Sequence, residues 1–99
     1  MQFRIGQIIR HKLFHYRGVI YGADQEFRGS MEWYETVAKS KPPKDKPWYK
    51  VLVHNDKHTT YVAERNLEIE DSGKPVRHPQ LLLYFNGFNK GVYSTVSFN

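Results

Sequence analysis

The sequence predicts a mainly β fold, short strands bent into a small barrel with one short helix. Three observations lead there. Runs rich in Val, Ile, Tyr and Thr are broken at short intervals by Gly, Asn, Asp and Pro. Only one segment combines a capping residue with helical apolar spacing. The length, 99 residues, suits one domain, and with 39% hydrophobic residues its core must be thin. Aromatics are 15% of the chain, so they must supply much of the buried area.

The elements follow in order. Phe3 to Arg10 reads as a strand whose alternation changes parity at Gly6, the mark of a bulge or a close backbone approach. Arg17 to Gly22 is a second strand, reached through His11 to Tyr16, and Asp24 to Ser30 is a loop. Ser30 can cap a short helix to Ala38, with Trp33 and Val37 on one face. Lys39 to Pro47, rich in Lys and Pro, predicts a stiff exposed loop. Trp48–His54 and His58–Glu64, joined by Asn55-Asp56-Lys57, form the clearest hairpin. Its core face is expected to carry Tyr49, Val51 and Val53, and Glu64 and Asn66 read as structural turn residues after it.

Asp71 to Pro75 is a turn. Leu81 to Phe85 fits either a buried strand or one turn of helix, Asn86 to Gly91 a turn, and Val92 to Phe98 a closing strand. Several short strands with one minor helix point to a small, strongly bent SH3-like barrel, a single domain over residues 1–99. No repeat suggests a second unit.

With no cysteine, a disulfide framework, a thiolate metal site and a cysteine nucleophile are excluded. No apolar run approaches the ~18 residues of a membrane span, and no cofactor motif occurs. A soluble, cytoplasmic protein without cofactor or resident metal is expected. His54 and His58 flank the hairpin turn, with Asp56 between them; solvated histidines are expected there rather than a zinc or nickel site. His78, before Pro79, is expected to hold a backbone carbonyl. Glu32 with Glu35, and Glu64 with Glu68, are explained by helix-start charge and strand-end solvation, so an enzyme is not expected.

The net charge is +5 at pH 7. It is blocked: residues 1–22 and 74–99 contain no acid, and the 39–50 segment is lysine-rich, while 23–38 and 51–73 are net acidic. Such alternation suits either a solvated mosaic or one polyanion-binding face.

Tyr16-Arg17-Gly18-Val19-Ile20, Pro47-Trp48-Tyr49 and Tyr61-Val62-Ala63-Glu64 stand in series, preceded by Ile5-Gly6-Gln7 and followed by His78-Pro79, Tyr84-Phe85 and Tyr93. This order resembles the HspQ family, also called YccV-like or hemimethylated-DNA-binding, from Phe3 to Tyr93. Lys50 and the Leu81–Leu83 run depart from it. The resemblance implies a non-enzymatic, stress-associated DNA-binding protein that prefers hemimethylated DNA. The alternative it implies is a heat-shock enhancer or adaptor of a Lon-type ATP-dependent protease acting on a replication initiator or denatured clients.

Phosphate binding needs cations on one face. The candidates are Arg10, Lys12, Arg17, Lys39, Lys41, Lys44, Lys46 and Arg77. A methyl in the major groove is read by an apolar or aromatic surface, for which Tyr16, Trp33 and Trp48 border suitable loops. Leu81, Leu83, Phe85 and Phe88 exceed what one thin core can hold, so a homo-oligomer through them is expected.

Overall fold

The computed structural model describes residues 1–95. The strands β1 (Ile8–His11), β2 (Arg17–Asp24), β3 (Trp48–Val53), β4 (Thr59–Ala63) and β5 (Leu67–Ile69) form one antiparallel sheet. Its order is β4-β3-β2-β1-β5. A separate hairpin pairs β6 (Phe85–Asn89) with β7 (Val92–Thr95). The helices are α1 (Met31–Val37) and α2 (Leu81–Tyr84), and a 3-10 turn, Glu64–Asn66, links β4 to β5. The sheet is not closed into the expected barrel: β4 and β5 remain its two edges.

Both faces of the sheet are buried. Ile9, Ile20 and Val51 pack on one side with Phe3, Tyr49, Val62 and Leu67. Ile8, Val19 and Leu52 pack on the other, under Val76, Phe85 and Tyr93 from the C-terminal part. The expectation of a single core face at Tyr49, Val51 and Val53 is therefore corrected. Leu52 and Trp48 are as buried as Tyr49, while Val53 is half-buried. A strand covered on both sides reads as continuous apolar sequence, which is how Ile8-Ile9 and Val51-Leu52 stand.

The parity change at Gly6 is a close backbone approach. Its φ is +93°, its N–H donates to the Ile20 carbonyl at 2.8 Å, and its carbonyl accepts from the Tyr93 N–H at 2.9 Å. Gly6 thus joins the central sheet to the C-terminal hairpin. That hairpin is secured again by the Tyr93 hydroxyl, which accepts from the Val76 N–H at 2.9 Å.

The C-terminal third differs most from expectation. Leu81–Tyr84 is one helical turn, and Phe85 begins a strand rather than continuing it. The turn expected over Asn86–Gly91 is mostly strand. Asn86-Gly87 falls at a register shift inside β6, and the chain reverses at Lys90-Gly91, with φ of +53° and +79°. Two positive φ values are what a tight two-residue hairpin turn requires. The expected closing strand is described as far as Thr95; residues 96–98 lie outside the described residues.

Ser30 caps α1 as expected, its hydroxyl accepting from the Trp33 N–H at 3.0 Å. The 39–47 segment is held down more firmly than a stiff exposed loop. Pro42 is buried and its carbonyl accepts from the Tyr34 hydroxyl at 2.7 Å. The Trp48 indole N–H donates to the Pro43 carbonyl at 3.0 Å, and the Phe27 N–H to the Lys44 carbonyl at 2.8 Å.

Candidate nucleic-acid interface

Lys12 is positioned by a tight turn between β1 and β2. His11 is 4% exposed, and its Nδ1 accepts from the Leu13 and Phe14 N–H groups, both at 3.1 Å. The next N–H, that of Lys12, donates to the Asn66 carbonyl at 2.8 Å, which sets Lys12 beside the 3-10 turn. Arg65 in that turn donates to the Ser40 carbonyl at 2.7 Å, and the Asn66 side chain to the Ser40 hydroxyl at 3.3 Å. Lys12, Lys39 and Arg65, far apart in sequence, are thereby gathered at one rim. Among the described residues none of the three is in an ion pair.

A second row of cations lies at the same end of the sheet. Arg10 and Arg17 are cross-strand partners. The His54 N–H donates to the Arg17 carbonyl at 2.9 Å, and His54 Nδ1 accepts from the Arg77 N–H at 2.9 Å, which brings in Arg77. Burial, with Arg17 and Arg77 nearby, pushes the His54 pKa down, in keeping with its acceptor role. Arg17 is largely committed: its guanidinium donates to the Lys74 and Pro75 carbonyls at 3.0 and 3.1 Å. Arg10 reaches Glu68 at 4.0 Å with much of its side chain exposed.

The lysine segment divides. Lys41 pairs with Glu35 at 2.9 Å, and Lys44 sits over the Tyr34 ring at 4.3 Å. Both turn back onto α1, leaving Lys39 and Lys46 exposed.

The aromatic candidates also part company. Trp48 is 1% exposed, covered by α1 and packed against Tyr34 and Ala63. It is a core residue, which corrects its place among the candidate DNA contacts. Tyr16 and Trp33 are half-buried and form opposite walls of a groove of about 550 Å³ along β4. Burial pushes the Tyr16 pKa up to about 12. Phe14 and Tyr61, which sequence reasoning missed, complete these walls. Trp33 and Tyr61 continue into a neighbouring trough of about 610 Å³ with Arg28 and Lys50. Tyr61 is anchored by donating to Asp24 at 2.7 Å. Its signal in the sequence was its position opposite Lys50 on the hairpin, not its residue type. Arg65 carried no signal, because only the 3-10 turn turns it toward the lysine segment.

The histidines of the hairpin have other partners. His58 Nδ1 contacts Asp56 at 2.6 Å, and His54 holds the Arg77 main chain. Among the described residues no group of three His, Asp or Glu side chains could hold a metal. His78 does hold a carbonyl, its Nε2–H donating to His58 at 2.9 Å, while its Nδ1 accepts from the Gln80 N–H at 3.1 Å.

The self-association candidates do not form one face. Phe85 is 2% exposed and belongs to the core, a correction that follows from its start of β6 beneath Val76 and Tyr93. Leu81 is half-buried on the same cluster. Leu83 and Phe88 are exposed, as is Leu82 at 82%, which the sequence reading left out.

His11 makes stability pH-dependent. Burial, then the nearby His15 charge, lowers its pKa below the ordinary 6.5. The unfolded chain therefore takes up a proton below about 6.5 before the folded one does. Stability is full above that pH and falls as pH drops through the window beneath it, with His54 acting in the same direction. Urea midpoints across that range, with the His11 ring proton followed by NMR, check this. A flat profile would contradict it.

An antiparallel β module that gathers cations at one end beside an aromatic groove is built to present a binding surface. The chain belongs to the YccV-like family of DNA-binding domains, described as "Hemimethylated DNA-binding protein YccV like", which matches residues 1–92. It is also 34% identical over 88 residues to F-box only protein 21 of Pongo abelii. That match takes in 87% of this chain and 14% of the relative, so the chain spans a small part of that protein's length. Among the described residues no helix is long and apolar enough to cross a membrane.

Proposed function

We propose that this domain acts by binding rather than catalysis, and that it binds duplex DNA through the cationic end of its sheet. The observation that carries the reading is the family match over residues 1–92. Arg10, Lys12, Lys39, Arg65 and Arg77 supply phosphate contacts, with Arg17 holding the row in place through Lys74 and Pro75. A preference for hemimethylated DNA would draw on Tyr16 and Trp33, the aromatic surfaces beside that rim, since a base methyl in the major groove is met by apolar contact. Three carboxylates border this surface: Glu64 accepts from the Tyr49 hydroxyl and the Gln2 N–H, Glu68 stands 4.0 Å from Arg10, and Glu70 has its pKa lowered by the Ser72 hydroxyl and then by the Arg17 and Arg10 charges.

Anisotropy of a labelled duplex across salt tests the binding. Five phosphate contacts predict a loss of about five-hundredfold between roughly 50 and 200 mM salt. A salt-independent affinity would contradict it. A second reading, contact with another protein as a stress-associated protease enhancer or with a second copy, is favoured by the exposure of Leu82 and Leu83 at 82% and 69%. Loss of client degradation on Leu82→Glu, with DNA binding intact, would support that reading.

A further inference from the structure

The groove beside β4 has an open sheet edge as its floor, and the DNA contacts proposed above draw on its walls, Tyr16 and Trp33, and not on that edge. β4 pairs with β3 alone. Among the described residues no main-chain hydrogen bond other than those to β3 reaches residues 59–62. The groove is lined from both faces of this strand. Val62 packs with Tyr16 in one cluster, and Tyr61 with Trp33 in another, yet all four border the same space. Side chains alternate across a strand, so a groove that takes in both faces lies over the free edge itself.

We propose that this edge accepts an extended peptide as an added strand. Its main chain would pair with the open N–H and C=O groups of Thr59 to Val62. Alternate apolar or aromatic side chains would fall to the Tyr16 side and to the Trp33 side. At about 550 Å³, the groove lies within the range of sites that enclose their ligands. Charge selects the flanks of the peptide. Lys39 lines the groove, and Lys12 and Arg65 are tied by hydrogen bonds to its lining residues Asn66 and Ser40. Among the described residues none of the three cations is in an ion pair, and the acid in the lining, Asp56, contacts His58, so the peptide is acidic beside its apolar stretch. Edge strands this open are usually blunted by a charge or a proline. β4 itself, Thr-Thr-Tyr-Val-Ala, has neither.

The test uses the whole chain and a fluorescein-labelled synthetic peptide of alternating valine and tyrosine flanked by glutamates. Two controls are a lysine-flanked copy and a copy methylated on alternate backbone nitrogens, which cannot pair as a strand. Saturable binding of the acidic peptide is expected, with each control weaker by about tenfold or more. Val37→Glu is expected to weaken the acidic peptide similarly. Val37 lines the groove and is 51% exposed, so the fold tolerates the change, which a thermal melt verifies. No binding, or equal binding of either control, would overturn the proposal.

Discussion

Replacing Gly6 by alanine is expected to lower stability by about 3 kcal/mol, the loss that a steric clash at a special backbone angle produces. A Cβ there would stand 2.1 Å from the Tyr93 carbonyl oxygen, with no side chain able to yield. The φ of +93° adds strain for any L residue. The backbone cannot move aside, because Gly6 donates to Ile20 on one side and accepts from Tyr93 on the other. For a domain of this size the melting temperature should fall by about 15 °C. Gly73→Ala is the control: its φ is also positive, at +73°, but a Cβ would meet nothing within 4 Å. It should cost about 1 kcal/mol. Equal losses at the two positions would contradict the junction assigned to Gly6.

The double charge reversal Lys12→Glu with Arg65→Glu is expected to weaken duplex binding at least about a hundredfold at low salt and to flatten the salt slope by roughly two units. Both side chains are exposed and neither is in an ion pair among the described residues. Arg65 does donate to Ser40, so Arg65→Gln serves as the companion that keeps a donor and removes only the charge. Arg17 is the poorer probe despite its place among the sequence candidates. Its guanidinium holds the Lys74 and Pro75 carbonyls, so reversing it disturbs the connection to Val76 as well as the charge. Unchanged binding in the double variant would remove this rim from the DNA surface.

Much of this was legible in the sequence where local chemistry decides local structure. Ser30 as a cap, the 48–63 hairpin, the role of His78 and the close approach at Gly6 all rest on short-range rules. The misreadings share a different cause. Asn86-Gly87 is a stronger turn signal than Lys90-Gly91, but a bulge within β6 absorbed it while the tighter pair made the turn. Trp48 and Phe85 looked available because each borders a loop or an apolar run. Tertiary packing buried both, one under α1 and one beneath Val76 and Tyr93. The rim itself was half visible. Lys12 and Lys39 were candidates by charge, but joining them to Arg65 takes hydrogen bonds between residues 12 and 66 and between 65 and 40, separations no sequence window spans. The aromatic groove shows the same limit, since Phe14, Tyr16, Trp33 and Tyr61 come together only when the β1–β2 turn and α1 flank β4.

The central claim is that this domain binds DNA through that cationic, aromatic-bordered end. It is tested most directly by anisotropy with three matched duplexes, unmethylated, hemimethylated and fully methylated, each titrated at several salt concentrations. Tighter binding of the hemimethylated duplex at every salt, lost on Trp33→Ala while a steep salt slope remains, is the predicted result. Equal binding of all three that vanishes near physiological salt would contradict it, reducing the charge to a nonspecific surface.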